Sequence, residues 1–449
     1  MIIAPSSRLA RLGIVAALAC ALVACETVED LYLGEETETP LKGERIAVML
    51  EDAGIKADPT LANLPVELPA PQRNASWQQA GGEADQSNGH LAVSETLEEA
   101  WSISIGAGGD GKSALLAPPV VAEGRIFTID GEAVVRAFAV ADGRELWQFE
   151  ARPEDEEEAS FQGGVAVHEG KVFVATGYAE MIALSSETGQ LVWRESLPGP
   201  ARGLPAVSDA RVYAATLDNR LLAFSSETGE KVWEHRGADQ ISAILGGASP
   251  AIDAATVLVP YSSGELFALR VENGRPSWYE NLSAGRQLNS LSRLSDIRAN
   301  PVIEGGIAYA VSNSRRMVAI DLRSGARIWE KRIGSVHMPW AAGNFVFVTA
   351  LEGEVAALAR GNGGVRWVQN LPPFQDMEDK RGAIQYTGPV LAGDRLLVGA
   401  STGELFSISP YTGELLGSMD LGNAIYISPI VADETVFVLT DDGRLHALR

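Results

Sequence analysis

Six copies of the pattern Gly-x-x-x-Trp recur along this chain, each preceded by an alanine six residues before the glycine. The glycine–tryptophan pairs are Gly143/Trp147, Gly189/Trp193, Gly229/Trp233, Gly274/Trp278, Gly325/Trp329 and Gly363/Trp367. The alanines are Ala137, Ala183, Ala223, Ala268, Ala319 and Ala357. Successive copies lie between 38 and 51 residues apart. A period of this size and regularity indicates a repeat architecture in which each repeat is one supersecondary unit.

Each repeat has the pattern of four short β-strands. From Met181 to Trp193, two apolar runs flank a polar turn that contains Gly189, which predicts a β-hairpin. Just upstream, Val165–Val167 and Lys171–Ala175 flank a second turn and predict another pair of strands. No helical pattern lies between the copies. The chain is therefore expected to be all-β, with four antiparallel strands in each unit.

Counting the units predicts a closed ring. Eight first strands begin near Pro119, Gly163, Pro205, Pro250, Pro301, Pro339, Pro389 and Pro429. The eighth unit offers Ala447, but Arg449 is reached before its fourth strand, whereas Ala100–Ile105 near the other end is a strand without preceding partners. We therefore predict an eight-bladed β-propeller over residues 96–449, closed by the strand around Trp101. Such closure removes exposed sheet edges.

The tryptophans of the repeat are interpreted as packing residues between blades, because a large ring on an outer strand buries about 150–250 Å². The seventh unit departs from the pattern. It has Ser407 in place of the alanine, keeps Gly413, and has Gly417 in place of the tryptophan. A thinner seam is expected there.

The first 95 residues have a different composition. Residues 1–24 combine Arg8 and Arg11 with an uncharged apolar run and indicate a signal peptide. The run ends in Leu-Val-Ala-Cys, which resembles a bacterial lipobox and implies lipidation of Cys25. Residues 25–95 are acidic and then rich in Pro, Gly, Asn and Gln, which indicates an extended tether. Trp77 is expected to dock into a groove.

Charge and cysteine content exclude several classes of function. The formal net charge is −23, which argues against nucleic acid as an electrostatic partner. The only two cysteines are Cys20, inside the signal peptide, and Cys25. The mature propeller is therefore expected to have neither a disulfide nor a cysteine-ligated metal.

Propellers with tryptophan repeats resemble quinoprotein dehydrogenases, which hold pyrroloquinoline quinone and calcium in the central channel. That resemblance implies adjacent cysteines and a cluster of Asp, Asn and Glu ligands, and this sequence has neither. The five histidines, which show no metal-like pairing, are His90, His168, His235, His337 and His446. We therefore predict no catalytic residue, no metal and no cofactor. A quinoprotein enzyme and a generic periplasmic binding module using the channel stay as alternatives.

Two connections between repeats are unusual. One covers 237–247 and the other 287–298, and each follows one of two neighbouring blades. Both combine apolar residues with Arg or Asp, which is typical of a protein-binding patch. The other interpretation is that the apolar residues fold inward and plug the channel.

The lipobox, the tether and the eight repeats together resemble the BamB family of outer-membrane assembly lipoproteins. The sequence from Arg293 to Ile297 and the later Asp321–Gly325 are close to that family's pattern. The resemblance implies a non-catalytic scaffold, lipid-anchored on the periplasmic side of the outer membrane. Its implied partners are a POTRA domain of a BamA-like subunit and other subunits of the machine. A further hypothesis is that free blade edges pair with unfolded outer-membrane proteins by β-augmentation.

The resemblance also implies the contact residues, all within the two unusual connections. They are Ile241, Ile244, Leu245, Arg293, Leu294, Asp296 and Arg298. Three positions depart from the family's pattern, because Arg298 replaces a second acidic residue, Leu245 replaces an arginine and Ser242 replaces a leucine. A compensating change of charge on the partner is expected.

Overall fold

The structure is a computed structural model that describes residues 54–109, 115, 117–156, 163–239, 246–283 and 296–449. Apart from one short 3-10 helix, Pro59–Leu61, the regular structure of these residues is entirely β. None of the helical structure in these ranges has the length and apolar character required to cross a membrane. The expected all-β class is confirmed.

The strands form eight four-stranded antiparallel sheets, the blades, numbered here in chain order. Blade 1 contains β2 Val120–Ala122, β3 Arg125–Ile129, β4 Val134–Ala139 and β5 Glu145–Glu150. Blade 2 contains β6 Gly163–His168, β7 Lys171–Thr176, β8 Glu180–Ser185 and β9 Leu191–Ser196. Blade 3 contains β10 Ala206–Ser208, β11 Arg211–Ala215, β12 Arg220–Ser225 and β13 Lys231–Arg236. Blade 4 contains β14 Ala251–Ile252, β15 Thr256–Pro260, β16 Glu265–Arg270 and β17 Pro276–Asn281. Blade 5 contains β18 Val302–Glu304, β19 Ile307–Ser312, β20 Arg316–Asp321 and β21 Arg327–Lys331. Blade 6 contains β22 Trp340–Ala342, β23 Phe345–Thr349, β24 Glu354–Ala359 and β25 Val365–Asn370. Blade 7 contains β28 Tyr386–Ala392, β29 Arg395–Ala400, β30 Glu404–Ile408 and β31 Leu415–Asp420, and a separate hairpin, β26 Phe374–Asp376 with β27 Arg381–Ala383, precedes it.

Blade 8 closes the ring as the sequence predicts. Its sheet has the order β1-β34-β33-β32, where β1 is Glu99–Ser104, β32 is Ile430–Ala432, β33 is Thr435–Leu439 and β34 is Arg444–Leu448. Trp101 of β1 stands opposite Ala447 of β34. The same two strands are joined by a hydrogen bond of 2.6 Å between Nδ1 of His446 and Oε2 of Glu99. The outer strand of the last blade therefore comes from the N-terminal side of the repeats.

The repeated alanine and tryptophan are cross-strand partners on the third and fourth strands of a blade. In blade 2, for example, Ala183 stands opposite Trp193, and a bulge follows directly. The Trp193 ring packs against Phe173 of β7 with centroids 5.9 Å apart. A Cβ added at Gly229 in the next blade would lie 2.9 Å from this ring. The repeat therefore joins neighbouring blades, because the tryptophan of one blade lies beneath the repeat glycine of the next blade.

The structure explains why blade 7 has Gly417 in place of the repeat tryptophan. A tryptophan at that position would pack beneath the turn between the third and fourth strands of blade 8, but those strands, β34 and β1, are not joined by a turn. No atom of the described residues lies within 4 Å of the place that a Cβ would take at Gly417. This open space agrees with the thinner seam that the sequence predicts.

Residues 72–92, called here the strap, cross the end of the channel where the first and second strands of each blade are joined. The strap pairs with the free, channel-facing edges of the first strands, whose amides would otherwise lack partners. Its acceptors for first-strand amides are Trp77 O for Val121, Gln78 O for Val167, Gln79 Oε1 for Val207, Ala84 O for Ile252 and Asp85 O for Ile303. Asn74 and Leu91 make the corresponding bonds to blades 8 and 7, with Asp433 and Gly393.

The strap is a nearly closed loop, since the Gln72 amide donates to His90 O at 2.8 Å. Trp77 is 3% exposed and stacks on Trp340 with ring centroids 6.4 Å apart. The expectation that Trp77 docks into a groove is confirmed, and the groove is the channel itself. The strap therefore fills one end of the channel. The other end, formed by the connections between blades and not crossed by the strap, is called here the open end.

Candidate functional site

The described ends of the two unusual connections lie at the open end of the channel, because each connection between blades runs from a fourth strand to the next first strand. Of the predicted contact residues, Ile241, Ile244, Leu245, Arg293 and Leu294 lie outside the described residues. Asp296 and Arg298 belong to the described part of the connection from blade 4 to blade 5. The geometry of the site is therefore built from these two residues and their surroundings.

Asp296 faces inward and forms an ion pair. Its side chain is 1% exposed and accepts a hydrogen bond from the guanidinium of Arg202, which is 3% exposed. Arg202 belongs to the connection from blade 2 to blade 3. The pairing compensates the two buried charges, whereas either charge alone would be strongly destabilising. The described structure thus gives Asp296 the position of a residue that ties two connections together.

Hydrogen bonds join three successive connections at this rim. The Ser249 hydroxyl donates to Leu204 O at 2.8 Å, and the Ser249 amide donates to Oδ1 of Asn300 at 2.8 Å. From below, the strap residue Gln86 donates through Nε2 to Pro250 O at 3.0 Å. The described parts of the rim between blades 2 and 5 are therefore fixed to one another and to the strap.

Arg298, two residues beyond Asp296, lines a cavity of ≈ 150 Å³ at the open end of the channel. Trp77 and Trp340 line the same cavity. Within the part of the chain that the structure describes, the Arg298 guanidinium forms neither a hydrogen bond nor an ion pair. Burial lowers the pKa of Arg298, and the charge of Arg202 acts in the same direction, while Asp296 raises it. The cavity therefore holds a cation without a direct partner.

His337 lines the same cavity from the connection between blades 5 and 6. Burial, followed by the nearby positive charge of Arg298, lowers the pKa of His337 to about 3. The imidazole is therefore neutral at pH 7 and adds no charge to the cavity. It can still donate or accept one hydrogen bond at each ring nitrogen.

Sequence reasoning missed two features of this site. Arg202 stands in the run Gly199–Pro205, and its only signal is a charged residue among small and apolar ones. The cavity is formed from residues far apart in sequence, and the first-strand edges beneath it were not recognised as places for the strap. The two interpretations given to the connections concern their apolar residues: Ile297 is buried, whereas Ile241, Ile244, Leu245 and Leu294 lie outside the described residues.

The described residues contain no group of three or more His, Cys, Asp or Glu side chains placed to hold a metal ion. The outer-strand tryptophans, the alanine–tryptophan register and the eight four-stranded blades define a tryptophan-repeat propeller. Comparison with known proteins narrows this class.

The family model described as outer membrane protein assembly factor BamB matches residues 84–161, 131–369 and 351–449. The BamB protein of Escherichia coli (strain K12) is 32% identical over 359 residues, which cover 79% of this chain and 89% of that protein. The chain belongs to the BamB family.

Solved structures agree on the fold. The crystal structure of BamB from Moraxella catarrhalis matches with a TM-score of 0.67 and 19% identity, covering 79% of this chain and 100% of that chain. Quinohemoprotein alcohol dehydrogenase from Comamonas testosteroni matches with a TM-score of 0.63 and 14% identity, covering 84% of this chain and 81% of that chain. At these identities the likeness concerns the fold alone.

Proposed function

We propose that this protein is a non-catalytic scaffold that assists the assembly of outer-membrane proteins. The observation that carries the proposal is membership of the BamB family, whose model matches all of the blades. Its relatives at 32% identity are named as outer membrane protein assembly factors. The likeness to a quinohemoprotein enzyme is one of fold and brings no catalytic residue to this chain.

The proposed partner is a POTRA domain of a BamA-like subunit, docked on the open end of the channel. Two observations support this face. The connections with the predicted contact residues open there, and the opposite end is occupied by the strap. The described parts of the rim between blades 2 and 5 are joined by hydrogen bonds, and a preorganised surface loses less freedom when it binds.

The residues of the proposed interface have different roles. Arg298 would contact the partner from the mouth of the channel, together with Ile241, Ile244, Leu245, Arg293 and Leu294 on the two connections. Asp296 would act through Arg202, because its buried side chain holds the connection in place. A substitution of Asp296 therefore tests the fold of the rim before it tests the contact.

The test is capture of the purified POTRA region of the cognate BamA-like subunit. We expect Leu245→Asp and Arg298→Glu each to reduce capture by about tenfold or more, since central interface residues contribute ~2 kcal/mol or more. The matched control is Arg323→Glu, which makes the same change of charge in an exposed turn at the opposite end of blade 5. Undiminished capture by both rim variants, with unchanged thermal melting, would contradict the proposed interface.

The proposed anchor is a lipid on Cys25, which holds the protein on the periplasmic side of the outer membrane. Cys25→Ser is expected to remove the added lipid mass and to deplete the protein from the outer-membrane fraction. Cys20→Ser is the matched control, because it changes the other cysteine and is expected to leave lipidation intact. Recovery of the Cys25→Ser protein in the outer-membrane fraction would contradict the lipid anchor but not the proposed interface.

A further inference from the structure

Among the described residues that line the cavity at the open end of the channel, Arg298 is the one with a formal charge at pH 7. Arg202 and Asp296 form their buried pair outside this lining. His337, the other titratable group from the neighbouring connection, is neutral at pH 7. This local excess of positive charge stands in a chain whose formal net charge is −23.

Arg298 places a guanidinium in the lining of this cavity. Its side chain is partly buried in the cavity wall, yet no described residue accepts its hydrogen bonds. A desolvated cation without an acceptor is unfavourable, and an arriving anion removes that penalty. A guanidinium presents a planar fork of donors that fits a carboxylate in a bidentate manner.

The walls of the cavity restrict what can carry the anion. Trp77 and Trp340 of the cavity lining stack on each other, and Met338, Leu204 and Ile427 add apolar surface. The cavity measures ≈ 150 Å³, comparable to an engineered cavity of roughly 150 Å³ that holds benzene. It has room for one ring-sized group, and a single guanidinium favours a monoanion over a phosphate dianion.

We propose that this cavity binds a carboxylate borne on a short apolar group, with Arg298 as the anion-binding residue. The carrier is a polypeptide that docks over the rim and inserts a chain terminus or an acidic side chain beside the tryptophans. This inference deepens the proposed function, and it rests on that function only for the identity of the carrier. The cavity, its charge and its walls belong to this chain alone.

The test is isothermal titration calorimetry of the full chain in detergent with three small ligands. N-acetylphenylalanine presents a terminal carboxylate and a ring, its amide presents the ring alone, and N-acetylglutamate α-amide presents a side-chain carboxylate. We expect the two carboxylates to bind with a Kd of order 1 mM. The neutral amide is expected to bind more weakly by about tenfold or more. The better of the two acids identifies the source of the carboxylate.

Variants assign the binding to Arg298. Arg298→Gln is expected to weaken binding of both acids about tenfold, and Arg298→Lys to retain part of it, because the charge stays while the fork is lost. Arg323→Gln is the matched control and is expected to bind as the wild type does. The proposal is overturned by equal binding of acid and amide, by wild-type binding in Arg298→Gln, or by no binding at millimolar concentrations. Capture of the POTRA region is measured separately, so failure of one proposal does not decide the other.

Discussion

The Arg449 guanidinium donates a hydrogen bond of 3.0 Å to the backbone carbonyl of Val140, across the seam between blade 8 and blade 1. Val140 stands three residues after Ala137 of the repeat. At six other seams the carbonyl in this position accepts a bond from a tryptophan indole, as Ser186 does from Trp147 at 3.0 Å. The indole of Trp101 has no partner among the described residues. At the closure of the ring, the Arg449 guanidinium therefore donates to the carbonyl that a tryptophan indole would use at the other seams.

Removing that arginine should loosen the closure. Arg449→Ala loses the bond to Val140 and a second one, of 3.1 Å, to Oγ1 of Thr435. Since hydrogen bonds from charged donors contribute about 1.5–3 kcal/mol, we expect a clear decrease in the urea midpoint. Arg323→Ala, in an exposed turn, is the control and should melt as the wild type does. Equal midpoints for all three proteins would show that the closure does not depend on Arg449.

Two glycines separate backbone strain from packing between blades. Gly274 has a φ of +67° and a Cβ there would lie 2.5 Å from Cε3 of Trp233, whereas Gly170 has a φ of +73° and open space around it. Alanine at either position costs about 1–2 kcal/mol for the left-handed backbone. Only Gly274→Ala adds an overpacking cost of about 1–3 kcal/mol. Thermal melting should therefore rank Gly274→Ala well below Gly170→Ala, and the reverse order would contradict the seam described here.

The strap should protect the first strands from hydrogen exchange. The amides of Val121, Val167, Ile252 and Ile303 donate to strap carbonyls at 2.7–2.9 Å. Trp77→Ala removes a buried ring, which costs about 3–5 kcal/mol, and is expected to release these four amides to faster exchange. Exchange measured by mass spectrometry on peptides from β2, β6, β14 and β18 checks this. The second strands, β3 and β7, pair within their own blades and serve as the internal control.

The sequence was sufficient to predict the blades because their signal is local and repeated. Each alanine and its tryptophan are close in sequence, and the same hairpin recurs, so eight first strands and the need for Trp101 could be counted. The strap gave no such signal. Its bonds to the propeller are largely made by backbone groups, such as Trp77 O and Ala84 O, and backbone bonding leaves no pattern of side chains.

The site was predicted only in part, for a related reason. Arg202 and Asp296 are 94 residues apart in sequence and belong to irregular connections, whose conformation no periodicity determines. A resemblance could therefore point to Asp296 and Arg298 but not tell an inward-facing residue from one at the channel mouth. Burial and pairing, which separate the two, follow from the closed ring.

The buried ion pair gives a prediction of its own. Asp296→Ala would leave Arg202 buried without its acceptor, which costs about 3–5 kcal/mol. The double variant Arg202→Met with Asp296→Leu removes both charges and should recover most of the lost stability. Denaturation of the two single variants and the double variant gives the coupling between the residues. Additive losses would mean that the pair does not hold the two connections together.

His337 should make stability depend on pH between about 3 and 6.5. Burial and the charge of Arg298 hold its folded pKa at about 3, below the ordinary value of 6.5. Above pH 6.5 the imidazole is neutral in both states and the full stability is present. As the pH falls below 6.5 the unfolded chain binds a proton that the folded chain does not bind, so stability decreases, by about 1–2 kcal/mol at pH 5.

We expect His337→Gln to lose this part of the decrease in denaturation curves measured at pH 7 and pH 5. His168→Gln should keep it, and Arg298→Gln should reduce it, because the nearby positive charge is gone. Identical pH dependence in His337→Gln and the wild type would show that this histidine is protonated as readily in the folded protein as in the unfolded chain.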